Sequence, residues 1–296
     1  MTRVLDELIV LLALERIEEN LFRGQSQDLG WGQVFGGQVL GQSLSAATQT
    51  VPSDRHVHSL HAYFLRPGDA KKPIVYEVDR IRDGASFTTR RVVAVQSGRP
   101  IFHMSSSFQL AEPGFDHADA MPKTAGPEAL ESELEQWRRL APRIPDGARA
   151  RALAERPIEV TAVDPVEPFA PEKKSATHAV WLRATGELPD APALHAYLLA
   201  YSSDFSFVTT AMRPHGATWV DPRMQVASID HVMWFHRPFR MDQWLLHAMH
   251  SPSASGARGL VRGSIFSRDG RLVASTAQEG LIRERTAEHG ARRGGT

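Results

Sequence analysis

Two stretches of the chain carry residues in the same order, and this repetition limits what the chain can fold into. In the first, Ser59-Leu60-His61 is followed by Arg66-Pro67 and then Ser105-Ser106-Ser107-Phe108-Gln109. In the second, Ser228-Ile229-Asp230 is followed by Arg237-Pro238 and Ala274-Ser275-Thr276-Ala277-Gln278. The serine-to-glutamine interval is 50 residues in both, 59 to 109 and 228 to 278. A repeated unit with matched intervals points to two similar domains in one chain, each with its own core. Function is then sought in what only one copy has.

Each copy reads as a helix followed by short strands. Apolar-alternating runs cover 56–65, 73–81, 87–96 and 101–110, broken by turn signals such as Arg66-Pro67-Gly68-Asp69 and Asp83-Gly84. Such runs predict an antiparallel meander. The second copy repeats it over 225–235, 244–249, 260–266 and 272–282. The helices expected ahead of the meanders are 37–50, which has no charged residue, and the more apolar 194–212. An α+β fold follows, with each helix lying in the concave face of its sheet. The expected division is a first domain over 1–111, a linker over 112–157, a second domain over 158–284 and a disordered tail over 285–296. The linker is rich in Pro, Ala and charge, with a short helix expected near 128–140.

Lys plus Arg and Asp plus Glu both number 34, so nothing in the charge balance favours a nucleic acid or an anionic membrane as partner. The chain has no cysteine, which excludes disulfides, thiolate metal sites and a cysteine nucleophile. It also suits a reducing compartment. The apolar run Leu8 to Leu14, flanked by Asp6-Glu7 and Glu15-Arg16, is too short to span a bilayer and wrongly flanked for a signal peptide. An amphipathic helix and a cytoplasmic location are expected.

Asp204 stands out chemically. It is the only Asp, Glu, Lys or Arg between Ala191 and Met212, and the first helix offers no counterpart. A carboxylate on so apolar a segment is costly without partners. One reading is local capping, aided by Ser202 and Ser203; the other is a catalytic carboxylate present in one copy only. Ser228 and Gln278, at the two ends of the second meander, complete a coherent set. A carboxylate can take a proton from water while a hydroxyl and an amide hold that water in line. No Gly-x-Ser-x-Gly elbow occurs, and Gly30 to Gly37 miss the dinucleotide-binding spacing. Those glycines read as a tight turn and helix start whose N–H groups can face a developing oxyanion. His56, His58 and His61 do not share one strand face, so no metal site is expected. His58 remains a candidate base or substrate contact. Arg66, Arg237 and Arg258 recur at matched places and would suit a phosphate-bearing substrate.

Several ordered motifs resemble one family. They include Asn20-Leu21-Phe22-Arg23-Gly24, Val34-Phe35-Gly36-Gly37-Gln38, His58-Ser59-Leu60-His61-Ala62-Tyr63-Phe64-Leu65-Arg66-Pro67-Gly68, Ser228-Ile229-Asp230-His231 and Gln278-Glu279-Gly280. From about Glu18 to Arg283 the chain is similar to the acyl-CoA thioesterase II family. The resemblance implies a double hotdog, two tandem antiparallel sheets each wrapping a long central helix, and hydrolysis of fatty acyl-CoA without a metal or organic cofactor. It also implies a catalytic trio at Asp204, Ser228 and Gln278, with serine where the family most often has threonine. The acyl chain is expected in an apolar channel beside 194–212. A hotdog enoyl-CoA hydratase and a non-catalytic acyl-CoA binder are the alternative readings. Exposed sheet edges in hotdog units predict a homodimer or homotetramer.

Overall fold

The computed structural model describes residues 2–30 and 32–285. Apart from Arg285, the segment expected to be a disordered tail lies outside the described residues. Helix α1 (Arg3–Leu12) buries Leu5, Leu8 and Leu12, one stripe at helical spacing. Two short strands follow, β1 (Glu15–Glu18) and β2 (Leu21–Gly24), which the sequence patterning did not announce. Helix α2 (Gly36–Thr48) is buried on nearly every side, as its lack of charge requires. Strands β3 (Arg55–Phe64), β4 (Ile74–Asp83), β5 (Phe87–Gln96) and β6 (Arg99–Leu110) fall on the four expected runs.

The intervening segment carries α3 (Glu133–Arg139), started by a Ser132/Glu135 capping box, and α4 (Asp146–Ala152). Strands β7 (Ile158–Ala162) and β8 (Thr177–Ala184) lead into α5 (Pro192–Ser203) and α6 (Phe207–Met212). The second set of strands is β9 (Met224–Ser228), β10 (Asp230–Phe235), β11 (Leu245–Ser255), β12 (Arg258–Ser267) and β13 (Leu272–Glu284). No helix among the described residues is long and apolar enough to cross a membrane.

The strands form one sheet in the order β1-β2-β4-β5-β6-β3-β10-β13-β12-β11-β8-β7, with β9 also on β13. The plain meander therefore holds only for β4-β5-β6 and β11-β12-β13. The strand that opens each repeat crosses over and pairs with the last one, β3 with β6 and β10 with β13. This leaves β3 and β10 as neighbouring edges. They pair antiparallel from Tyr63 opposite Asp230 to Ser59 opposite Trp234, so the two expected sheets are joined along a seam.

The register also corrects the repeat. Each opening strand is interrupted once, at His58 in β3 and at Ile229 between β9 and β10. Counted from there, Ser228 occupies the place of Val57 and His231 the place of Leu60. Gln278, beside His231, occupies the place of Ser106, the partner of Leu60. Gln109 is not the counterpart of Gln278: it alternates with inward Phe108, and its amide donates to Glu112 outside. An equal sequence interval concealed this difference because side chains change face at every residue.

The single long helix expected over 194–212 is broken, with Asp204 at the break. Each part packs on a different partner. Helix α5 crosses α2 where Gly37 and Gly41 come against the carbonyls of Tyr201 and Tyr197. Helix α6 lies directly on β12 and β13, where Gly259 and Gly280 leave room for Ala211 and Val208. Turning from one direction to the other places Ser206 at φ 64°, a left-handed conformation uncommon for a residue with a Cβ. Ser206→Gly is expected to keep thermal stability within about 1 kcal/mol, because glycine accepts this conformation. Ser206→Val should cost about 1–2 kcal/mol or more. Denaturant unfolding of the two variants checks the ordering.

Candidate active site

The break between α5 and α6 ends helix α5 with Asp204 in the capping position. Ser202 and Ser203 do not cap the carboxylate. The Ser202 hydroxyl donates back to the carbonyl of Leu198 at 2.7 Å, and Ser203 Oγ lies 2.9 Å from both the Ala200 carbonyl oxygen and His231 Nε2. The partner of Asp204 comes from the sheet instead. Ser228 Oγ, at the end of β9, donates to Asp204 Oδ1 at 3.0 Å. Gln278 Nε2, on the inner face of β13 and fully buried, donates to Ser228 Oγ at 2.9 Å. The structure thus brings Asp204, Ser228 and Gln278 into one hydrogen-bonded line.

The second oxygen, Oδ2, has no hydrogen bond among the described residues and is turned towards the first repeat. A Cβ at Gly36 would sit 2.6 Å from it. Gly36 opens helix α2, whose first N–H groups have no partner within the helix. The carboxylate therefore lies between the C-terminal end of α5 and the N-terminal end of α2. The partial positive charge of the latter favours an anion. Three aromatic rings flank it. Phe35 stacks on Phe205 with centroids 5.2 Å apart, and Tyr201 meets both edge-on at 5.2 and 5.7 Å. Helix α6 is seated directly on β12 and β13 at Gly259 and Gly280.

The other sequence candidates divide by position. Leu65 and Arg66 follow the end of β3 that pairs with Asp230, so Arg66 stands at the Asp204 end of the seam; its guanidinium donates to Pro100 O at 2.7 Å. Arg258 is opposite Leu281, one step from the Gly280–Ser228 pair, and its Nε donates to Glu279 at 2.9 Å. His58 is five residues from Tyr63 along β3, about 17 Å away at the rise of an extended strand. It bonds Ser107 Oγ at 2.8 Å beside Phe87, and burial lowers its pKa. Arg237 is at that same far end, where its guanidinium binds Asp116, the His117 carbonyl and the Leu272 carbonyl. The sequence offers His58 as a base or substrate contact and Arg237 as a phosphate contact; the antiparallel seam sends their strand ends away from Asp204.

Two contacts at the site were missed. Gly36 falls within the expected turn and helix start whose N–H groups can face an oxyanion, but its approach to Asp204 is a contact between repeats that no local pattern reveals. His231, which the sequence motifs name without a role, is fully buried beside Gln278. Its alternation with Met233 on the inward face was the available signal. Two open clefts of about 560 and 490 Å³, around Asp116–Ala120 and around Arg183–Glu187, do not include Asp204. Among the described residues no group of His, Cys, Asp and Glu is arranged to hold a metal ion.

A tandem helix-in-sheet arrangement with one carboxylate at the seam defines a hotdog protein, and comparisons agree. A solved hot dog fold protein from Alicyclobacillus acidocaldarius superposes with a TM-score of 0.74 at 19% identity, over 97% of this chain and 100% of that one. The acyl-CoA thioesterase N-terminal domain profile matches residues 26–109, and the acyl-CoA thioesterase profile matches residues 148–281. Acyl-CoA thioesterase 2 of Haemophilus influenzae is 46% identical over 283 residues, covering 96% of this chain and 99% of its own. The crystal structure of an acyl-CoA thioesterase II from Mycobacterium marinum gives a TM-score of 0.76 at 43% identity, covering 94% and 99%. The chain belongs to the acyl-CoA thioesterase family.

Because the Cβ of residue 36 would meet the Asp204 carboxylate at 2.6 Å and the edge of the Phe64 ring at 3.0 Å rather than rigid backbone, Gly36→Ala is expected to fold and to displace Asp204. Thiol release should fall by about a hundredfold, the usual consequence of a misplacement near 1 Å. A Gly36→Ala protein with the wild-type melting temperature and wild-type turnover would refute this geometry.

Proposed function

We propose that the chain hydrolyses acyl-CoA thioesters to free fatty acid and CoA by direct attack of water at Asp204. The carrying observation is that one Asp204 oxygen is fixed by Ser228 while the other faces the start of α2 with no partner among the described residues. A water on Oδ2 gives up a proton to the carboxylate as its oxygen bonds to the thioester carbonyl carbon. The oxyanion is held by the unpaired N–H groups of Gly36 and Gly37. Collapse breaks the C–S bond, and the CoA thiolate takes back the proton.

Ser228 and Gln278 have a role slightly different from the one the sequence suggested. The single hydroxyl proton of Ser228 goes to Asp204, so the pair holds the carboxylate, and through it the water. The acyl chain runs along Phe35, Tyr201 and Phe205. Arg66 and Arg258, at the rim on the Asp204 side, are the candidates for the CoA phosphates; Asp204, Ser228 and Gln278 are the candidate catalytic groups. His58 and Arg237 take no part in this reading. No step in it calls for a metal or organic cofactor, and the intact carboxylate line favours it over a binder.

The chain is further proposed to be cytoplasmic, in keeping with 296 residues that include no cysteine. It is proposed to assemble as a homodimer or homotetramer. The seam consumes the inner edges of both repeats, so the support for assembly moves to Tyr63 and Trp234, 51% and 37% exposed on the outer sheet face.

Free-thiol release from a panel of short to long acyl-CoAs tests the activity. Asp204→Asn is expected to lower kcat by about a hundredfold or more with KM little changed. Arg66→Ala and Arg258→Ala should raise KM by a few-fold and leave kcat in place, the pattern of lost phosphate contacts. Hydration of an enoyl-CoA without thiol release would overturn the reading in favour of a hydratase. Saturable binding without turnover would overturn it in favour of a binder.

A further inference from the structure

The hydrogen-bonded line does not stop at Gln278. His231, on the inward face of β10, places Nδ1 at 2.5 Å from Gln278 Oε1, and its Nε2 lies 2.9 Å from Ser203 Oγ. The ring is fully buried, with Phe207 against it edge-on at 5.5 Å. Proton positions follow from the other members of the line. Ser228 donates to Asp204, so it accepts from the Gln278 amide nitrogen, and Gln278 turns its carbonyl oxygen to His231. Nδ1 must therefore carry the proton. Nε2 is then an acceptor, and the Ser203 Oγ–H turns to it rather than to the Ala200 carbonyl, which lies at the same 2.9 Å.

We propose that His231 is a positioning residue for the hydrolysis: its Nδ1–H fixes the Gln278 side chain so that the amide N–H, not the carbonyl, meets Ser228. The inference rests on the thioesterase reading above and deepens it. Amide oxygen and nitrogen are nearly the same size, so packing alone does not choose between the two orientations of Gln278. A flipped Gln278 would present its oxygen to Ser228, draw the hydroxyl proton away from Asp204 and release the carboxylate. A donor at Nδ1 excludes that arrangement. With it, each donor in the line Ser203, His231, Gln278, Ser228 points towards Asp204, and bonds aligned head to tail polarise one another. Burial lowers the pKa of the ring, opposed by the charge of Asp204, the bond to Gln278 and the charge of Asp230. A neutral ring supplies the one donor and one acceptor that the line needs.

The first repeat supplies the contrast. Its places corresponding to His231, Gln278 and Ser228 hold Leu60, Ser106 and Val57, and Ser106 Oγ is buried with no partner among the described residues. A leucine therefore fits this position of the fold, and the histidine answers to the site.

The experiment combines steady-state thiol release with a double-mutant cycle, using the full chain and the acyl-CoA that the wild type hydrolyses best. His231→Leu is expected to lower kcat about ten- to a hundredfold, the effect of leaving a buried amide oxygen unpaired, with KM within about twofold. His231→Asn, whose amide N–H can replace Nδ1–H, should recover kcat to within about fivefold of wild type. In a Gln278→Ala background His231→Leu should add no further loss, since it acts through Gln278. Full activity of His231→Leu, no rescue by asparagine at an equal melting temperature, or losses that multiply in the double variant would each overturn the proposal. Imidazole nitrogen NMR of the wild type gives a reading that needs no variant: His231 as the Nδ1–H tautomer is expected, and the Nε2–H tautomer contradicts it. Wild-type thiol release in the same assay distinguishes failure of this inference from failure of the thioesterase reading.

Discussion

The pairing of β3 with β10 is the contact on which the rest depends. Each repeat alone would present an open edge strand, with its row of unpaired N–H and C=O groups. Joining them satisfies both edges at once and fixes the register between the repeats, with Tyr63 opposite Asp230. Phe64 N–H then donates to the carbonyl of Ile229, the residue that interrupts the second repeat beside Ser228. The same junction lays α5 across α2, so that the end of one helix and the start of the other meet at Asp204 and Gly36. The site is composite: its carboxylate, hydroxyl and amide come from one repeat and its open helix end from the other.

Duplication followed by divergence explains why a chain with two similar halves has one such line of groups. On the sheet, Ser228, His231 and Gln278 stand where the first repeat has Val57, Leu60 and Ser106. The first repeat has kept the packing role of these positions and supplies a helix start instead. Asp204 also differs in backbone, since α2 is continuous while its counterpart breaks at the carboxylate. The break carries the left-handed Ser206, and backbone strain of this kind concentrates where a side chain must be aimed.

Much of this was legible in the sequence because it is local. Period-two alternation marked the strands, turn residues marked their ends, and a lone acid in an apolar run marked Asp204. What was not legible depends on contacts between distant segments. The crossover of β3 to β6, the seam and the helix break are set by which surfaces meet, and no window of residues contains that information. The matched interval to Gln109 misled because a one-residue difference in register changes the face of every side chain. The contact of Gly36 with Asp204 was hidden for a similar reason: the helix start was legible, but not that its glycine is required by a carboxylate 168 positions later, from 36 to 204.

The central claim is that one composite site forms per chain, although the fold has two repeats. Isothermal titration with a non-hydrolysable thioether analogue of the preferred acyl-CoA tests it most directly. One analogue bound per chain, on both the wild type and Asp204→Asn, is the result this account predicts. Two analogues per chain with equal affinity would mean that the first repeat has kept a site of its own, and would contradict it.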